Sequence, residues 1–235
     1  MNKDIFCENF EKYLGRPWIS TAEINYDEFK NKFANERKIV YKPRSLSGRK
    51  GIKVFESSDS NIDAVYKQLY DLPAGIAEGF IAQHHEMRKL SINCVNTVRV
   101  VTINTSENLS GIEKSKLNII YAGLRMGNGD GYVDNLHSGG MIAAVDIQTG
   151  LVTTDGVDFN NRVFIRHPDT DTVIRGFQIP YFEELKQMID IAGKDIEGYF
   201  GWDIAVTETG PVIVEVNTNP GAECLQIPYV PQKKE

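Results

Sequence analysis

Absences narrow this 235-residue chain before any motif does. Its three cysteines, Cys7, Cys94 and Cys224, are isolated, odd in number and without C-x-x-C spacing, so neither a disulfide framework nor a cysteine-based zinc site is available. They suit a reducing cytosol, packed as small apolar groups. No apolar run approaches the roughly 18 residues of a membrane span. The start, Met1 to Phe10, is polar and acidic and lacks the apolar segment of a secretory signal, so the expected location is cytoplasmic. Basic residues are outnumbered, 26 Lys and Arg against 32 Asp and Glu, and the formal net charge of −6 excludes a general nucleic-acid binder while leaving room for a local cationic pocket. The pattern G-x-x-x-x-G-K-[ST] is missing, which excludes a P-loop. No Ser-His-Asp or Cys-His signal, internal repeat or low-complexity tract is present.

What remains is a mixed α and β chain long enough to bury a real core, expected as one compact unit of two lobes, residues 1–82 and 83–235. Phe6 to Tyr13 and Tyr26 to Phe33 have helical spacing, and Ile62, Val65 and Leu69 mark a third helix ending before Leu72-Pro73. A β-rich middle runs from about Ala77 to Thr154. Tyr181 to Ala192 places Phe182, Leu185, Met188, Ile189 and Ala192 on one face, the pattern of a helix backing the segment that follows. Pro228 to Glu235 reads as a frayed tail.

That following segment is the most informative. Gly201-Trp202-Asp203 leads to a turn at Glu208-Thr209-Gly210-Pro211 and on to Val214-Glu215-Val216-Asn217-Thr218-Asn219-Pro220-Gly221. Both halves are apolar and β-branched, which predicts an antiparallel hairpin with strands of about five residues. Glu215 and Asn217 then share a face. Asp203 joins it only if paired residue numbers sum to an even value, which requires an odd-numbered loop such as 207–211. Two carboxylates and an amide oxygen on one face are hard ligands suited to Mg²⁺ completed by phosphates. The alternative is an acidic edge hairpin that is merely solvated.

Two earlier segments supply further parts of a nucleotide site. Ile39 to Phe55 reads as strand, loop, strand, with Lys42 at a strand end, Pro43 closing it, and Ser45 to Gly51 a loop of hydroxyls, glycines and cations able to face phosphates. Taken alone, such a basic glycine loop is more often just a hairpin turn. Ala77 to Glu86 contains a short strand leading into a polar segment, fit to meet adenine with backbone groups or to be a half-buried strand. His84-His85 suggests zinc, but neighbours on a strand point to opposite faces and do not share one ion.

Lys42-Pro43 with its glycine loop, Glu78 to Glu86, and Asp203 with Glu215-x-Asn217-x-Asn219-Pro220-Gly221 together resemble the ATP-grasp superfamily. Val95 to Val100, Leu124 to Gly127 and Val133 to Gly140 resemble its sugar-transfer-associated branch from bacterial surface-polysaccharide gene clusters. The resemblance runs from about Lys3 to Pro220. It implies an α+β fold of two lobes holding ATP between antiparallel sheets, with Mg²⁺. Its usual chemistry is activation of a carboxylate as an acyl phosphate for attack by an amine or hydroxyl, here on small-molecule or glycan-linked acceptors. Lys42 would contact phosphates, covered by the loop that includes Ser47, Gly48 and Gly51. Glu78, Phe80 and Ile81 would meet adenine, Glu86 the ribose, and Asp203, Glu215 and Asn217 would hold Mg²⁺.

The remaining role, charge for the acyl phosphate and carboxylate, falls to Arg99 and Arg125, each interrupting an apolar strand-like run. Solvated strand faces are the alternative for both. Ligases of this superfamily often carry an arginine two residues before the metal aspartate; here that position is Gly201. The glycine-rich segment 127–140 is a candidate acceptor loop through Asn135, His137, Ser138, Gly139 and Gly140, or a hairpin tip. The family's usual N-terminal domain has no counterpart in this sequence, so a shortened chain or a partner protein supplying that surface is expected; Lys3 is a candidate for an earlier phosphate-binding lysine, against which stands its closeness to the terminus. A phosphotransferase acting on a sugar or alcohol, and a non-catalytic nucleotide-binding partner of a glycosyltransferase, are the rival readings.

Overall fold

The computed structural model describes residues 3–44, 51–105, 117–128 and 139–226. The chain divides into two compact units, Met1–Ile81 and Ala82–Glu235, each with its own antiparallel sheet.

In the first unit the elements are α1 (Lys3–Phe10), continued by a 3₁₀ turn at Glu11–Tyr13, then β1 (Trp18–Ser20), α2 (Tyr26–Phe33), β2 (Lys38–Pro43), β3 (Lys53–Glu56), α3 (Ile62–Tyr70) and β4 (Gly75–Gly79). Among the described residues the sheet order is β1-β4-β2-β3. Helix α2 starts where Asn25 accepts the Glu28 N–H at 3.0 Å, with Asp27 and Glu28 in its first turn and Lys30 and Lys32 in its last, an arrangement that suits the helix dipole. Its buried face, Phe29 and Phe33 stacked at 5.0 Å, packs with Ile39 and Tyr41 of β2 and Val65 and Leu69 of α3. Strand β2 alternates, so Ile39 and Tyr41 face this core while Val40 and Lys42 face the other way, toward the side where α1 contacts β4.

The second unit contains α4 (His85–Arg88), β5 (Thr97–Asn104), β6 (Asn118–Met126), β7 (Met141–Val145), β8 (Gly156–Asp158), β9 (Val163–Phe164), α5 (Phe182–Gly193), β10 (Gly198–Thr207), β11 (Gly210–Thr218) and α6 (Glu223–Gln226). The described strands form a sheet in the order β11-β10-β5-β6-β7-β8-β9. One face is closed by α5, which packs on β11 and whose last residue, Gly193, lies against the buried Trp202 indole. Trp202 also donates its ring N–H to Thr102 at 2.8 Å, so this large side chain buries no unsatisfied donor. On the opposite face α6 sets Cys224 against Ile142 and Val157, and Ile142 is the cross-strand partner of Arg125.

The terminal hairpin differs from its sequence expectation in two ways. Its strands are ten and nine residues long, because the apolar alternation continues through Gly198–Phe200 and Gly210–Val212. Its turn is two residues, Thr207 pairing with Gly210, so the register near the turn runs to an odd sum. A bulge between Asp203 and Ile204 corrects this: Ile204 pairs with Ile213 and Asp203 with Glu215, which leaves Val214 as the extra residue. Beyond it Gly201 pairs with Asn217, and Asp203, Glu215 and Asn217 share one face. The condition on the register is met by a bulge instead of an odd loop.

Candidate functional site

In the first unit the sheet face opposite the Phe29 core carries a buried ion cluster. Val40 of β2 pairs with Glu78 of β4, which makes Lys42 and Glu78 diagonal neighbours on one face. Lys42 Nζ contacts Glu78 Oε1, and Arg16 donates from Nη2 to Glu78 Oε2 at 2.9 Å. Burial alone would push the Glu78 carboxyl up, but Arg16 and Lys42 outweigh it and hold it below the usual carboxylate range. Cys7 of α1 is buried beside this cluster, and burial followed by the Glu78 charge pushes its thiol up to about 12, which leaves it unreactive. Nearby, Lys3 at the start of α1 donates to the Pro43 carbonyl at 3.0 Å, and Arg44 pairs with Asp4.

The structure thus gives Glu78 a place in an ion cluster with Lys42, while Phe80 and Ile81, half-buried, follow the end of β4. Phe80 donates its backbone N–H to the Lys38 carbonyl at 3.1 Å and has Lys38 Nζ over its ring at 5.7 Å. Gly51 stands in a turn at φ +77°, a conformation that favours glycine. Ser47 and Gly48 lie outside the described residues. Arg16 escapes sequence reasoning; the one local signal is its position between Gly15, at φ +60°, and Pro17, a chain bend that turns the side chain back toward β4.

The second unit holds a denser site on the α6 side of its sheet. Asp203 on β10 lies across from Arg99 on β5, and Arg99 across from Gly123 on β6, two residues from Arg125. Arg99 grips Asp203 with Nε to Oδ1 at 2.5 Å and Nη2 to Oδ2 at 2.9 Å, and Arg125 Nη1 reaches Oδ1 at 2.9 Å. Asn217 Nδ2 approaches Oδ2 at 3.5 Å. All three charged side chains are about nine-tenths buried, at 8 to 11% exposure. Burial would raise the Asp203 carboxyl; Arg125 and Arg99 overcome that and hold it ionised, well below its ordinary value. Glu215, directly opposite Asp203, is exposed, and Asn217 is half-buried.

Gly201 has a structural cause here. A Cβ at this position would sit 2.6 Å from Pro220 Cβ and 3.4 Å from Arg99 Nη1, so the space above it is taken by the proline and by the Arg99 guanidinium. The tight return is made by Asn219 at φ +64°, a left-handed conformation asparagine tolerates. Sequence reasoning places Asp203, Glu215, Asn217, Arg99 and Arg125 in the site, and the sheet brings all five to one face. The packing of Pro220 over Gly201 is not readable from the sequence.

The donor set fits Mg²⁺. The Glu215 carboxylate and the Asn217 amide oxygen are hard donors on the open side of this face, and an ionised aspartate stands beside them. Such an ion would supply positive charge to phosphate oxygens.

Other candidate residues are placed as follows. Glu86, in the first turn of α4, pairs with Lys89 at 2.6 Å. Gly139 lies in a turn at φ +92° and Gly140 is buried before β7; Asn135, His137 and Ser138 lie outside the described residues. His167, missed in the sequence, is buried and bonds through Nε2 to the Gly127 carbonyl at 2.6 Å, just past Arg125. His84 and His85 are not on a strand: His84 caps α4, their rings stack at 4.2 Å, and both meet Glu208 of the hairpin turn. His84 Nδ1 accepts the Glu86 N–H, which puts the proton of the neutral ring on Nε2, 3.6 Å from Glu208; His85 donates its backbone N–H to Glu208 at 2.7 Å and sets its ring Nδ1 3.1 Å from the same carboxylate, which ties α4 to the turn.

No helix among the described residues is long and apolar enough to cross a membrane. No curated protein sequence matches the chain. Its fold is similar to that of N5-carboxyaminoimidazole ribonucleotide synthetase in its ADP complex, with a TM-score of 0.54 and 10% identity over 94% of this chain and 45% of that one. It is also similar to N5-carboxyaminoimidazole synthetase from Staphylococcus aureus complexed with ADP, with a TM-score of 0.53, 11% identity and coverage of 94% and 45%. The D-alanine-D-alanine ligase from Coxiella burnetii gives a TM-score of 0.50 at 11% identity, covering 94% and 48%. The chain therefore spans under half the length of these proteins. The family model described as sugar-transfer associated ATP-grasp matches residues 25–232, and the chain belongs to that family.

Proposed function

We propose that this chain is the Mg·ATP-dependent part of a ligase that activates a carboxylate as its acyl phosphate for attack by an amine or hydroxyl, in the assembly or decoration of a surface polysaccharide. The observation that carries the reading is the grip of two guanidinium groups, Arg99 and Arg125, on the Asp203 carboxylate, with Glu215 across from it on the same sheet face. Acyl-phosphate formation needs charge offset on transferring phosphate oxygens and a clamp for the acceptor carboxylate, and preorganised arginines beside hard metal ligands are suited to both. In the first unit Lys42, held by Glu78, is the cation for the nucleotide phosphates. Phe80 and Ile81 offer apolar surface for the base. The fold shared with ADP-bound synthetases and the sugar-transfer association of the family support the same direction.

Calorimetry of ATP binding with and without Mg²⁺ tests the nucleotide part, on wild type and on Lys42→Ala and Glu215→Gln. Magnesium-dependent binding that weakens in Lys42→Ala is expected; unchanged affinity in that variant moves the phosphate site elsewhere. Phosphate release then tests the reaction. A ligase releases free phosphate only with both acceptors present, whereas phosphate retained on one product makes the chain a phosphotransferase.

A further inference from the structure

We infer that Glu208 and Thr172 are positioning residues of the nucleotide site: they hold α4 from its two ends and so fix the Glu86 carboxylate for the two ribose hydroxyls. The inference rests on the nucleotide reading above and adds to it the groups that keep one of its contacts in place.

Helix α4 is a single turn, His85–Arg88. A segment this short makes few hydrogen bonds of its own, leaves backbone N–H and C=O groups without helical partners at each end, and does not keep its shape unaided. Its supports come from distant parts of the chain. At the start, Glu208 Oε1 accepts the His85 N–H at 2.7 Å, and His84 donates its N–H to the Val206 carbonyl at 2.7 Å. At the end, Thr172 donates from Oγ1 to the Lys89 carbonyl at 2.6 Å. Underneath, Met87 is fully buried and its carbonyl accepts from the Asn96 side-chain amide at 2.9 Å. Glu208 and Thr172 lie 123 and 83 positions from the residues they hold, so neither bond is a product of local sequence.

What the held turn presents is Glu86, whose side chain is 38% exposed. Lys89 Nζ binds its Oε1 at 2.6 Å and holds the carboxyl below the usual range, while among the described residues Oε2 has no hydrogen-bond partner. An ionised carboxylate only accepts, and a vicinal diol offers two O–H donors side by side, which makes the two groups complementary. Such charge-assisted bonds depend on placement, and a shift of about 1 Å in the turn that carries Glu86 forfeits them. Glu208 also closes the hairpin that bears Asp203 and Glu215, so the turn is referred to the same element as the arginine site. Both supports act through Glu86 and touch no nucleotide themselves.

The test compares ATP with its 2′,3′-dideoxy analogue, each with Mg²⁺, by calorimetry. Wild type should prefer ATP by about tenfold or more, the scale of hydrogen bonds to a charged group, and Glu86→Ala should remove that preference. Thr172→Val and Glu208→Ala should each cut the preference to about threefold or less while affinity for the analogue stays within about twofold of wild type, and Thr172→Ser, which keeps the hydroxyl, should restore it. A merely structural role would weaken both nucleotides in parallel, and that outcome, or a preference left intact in both variants, overturns the inference. A second measurement needs no variant. At saturation ATP should slow hydrogen exchange of the Arg88, Lys89 and Leu90 amides, which bond back to His84, Glu86 and Met87, more than the analogue does; equal protection overturns the inference even if a variant fails to fold. Wild type that binds the two nucleotides equally well overturns it too, whereas wild type that binds neither removes the nucleotide reading itself.

Discussion

Arg99 and Asp203 face each other across adjacent strands and meet in two parallel hydrogen bonds, Nε to Oδ1 at 2.5 Å and Nη2 to Oδ2 at 2.9 Å. The fork matches carboxylate geometry, and a lysine would not reproduce it. Because both groups are buried, removing one partner leaves charge without its counter-charge. Arg99→Ala should therefore destabilise the protein by about 3 kcal/mol, with Arg125 retaining part of the compensation at Asp203. The urea midpoint at neutral pH reads this directly, and a change under about 0.5 kcal/mol would place the pair among solvated surface bridges.

Gly201 provides a steric counterpart. With a Cβ only 2.6 Å from Pro220 Cβ, Gly201→Ala must push the Asn219-Pro220 return aside, at a cost of about 1–3 kcal/mol. Gly201→Arg is expected to be worse, and it should not restore turnover to Arg99→Ala, because the proline holds the space an arginine would need. Recovery of turnover in that double variant would show that the return yields and that the glycine is not forced by packing.

Much of this is readable from residue order, for physical reasons that differ by element. Tyr26 to Phe33 has an Asn cap, an acidic first turn and two phenylalanines one turn apart, so local rules and tertiary packing agree. Ile39 to Phe55 reads as strand, loop, strand because the apolar run and the glycine loop are both local. The hairpin face is legible in its residue types but not in its register: a bulge at Val214 has no sequence signature here, since Val212, Ile213 and Val216 around it share its β-branched character. The role of Glu78 is hidden for another reason. In the sequence it belongs to a short strand beside Phe80, and its partners Arg16 and Lys42 lie 62 and 36 positions away, joined to it only by the pairing of β4 with β2 and by the bend before β1. His84 and His85 mislead through secondary structure; placed on a strand they diverge, but at the start of α4 their rings stack.

Glu78 is the carboxylate that stands between Arg16 and Lys42, whose side chains are 4% and 19% exposed. Glu78→Gln keeps the shape and removes the charge, leaving two buried or half-buried cations facing each other. A loss of about 3 kcal/mol is expected. The acid limb should change too. With its folded pKa lowered, Glu78 contributes stability that is present above the ordinary glutamate value of about 4.3 and lost as pH falls through the folded pKa. Urea titrations at pH 7 and pH 3.5 should show the gap between wild type and Glu78→Gln narrowing in acid. A gap that is constant or widens would mean that charge is not what the cluster contributes.

His167 supplies a pH dependence of its own in the range where most carboxylates no longer titrate. Its Nε2–H donates to the Gly127 carbonyl at 2.6 Å, and Nδ1 accepts the Asp169 N–H at 3.3 Å, so the neutral ring satisfies both neighbours and a second proton has nowhere to go. Burial lowers its pKa, only partly countered by the Gly127 carbonyl and by Asp169. The unfolded chain therefore binds a proton more readily than the folded one below the ordinary histidine value of about 6.5. The stability this group contributes is complete above that value and declines as pH falls from there toward the folded pKa, with a slope of at most about 1.4 kcal/mol per pH unit. Replacing His167 by Gln retains a side-chain donor for Gly127 without titrating. The expected outcome is that the wild-type urea midpoint drops between pH 7 and pH 5 more steeply than that of His167→Gln, the two curves converging in acid. Because the bond anchors the backbone one step past Met126, the protection of amides at the end of β6, taken relative to their intrinsic exchange rates, should fall over the same interval in wild type alone; equal slopes and equal protection would mean that His167 is protonated in the fold without cost.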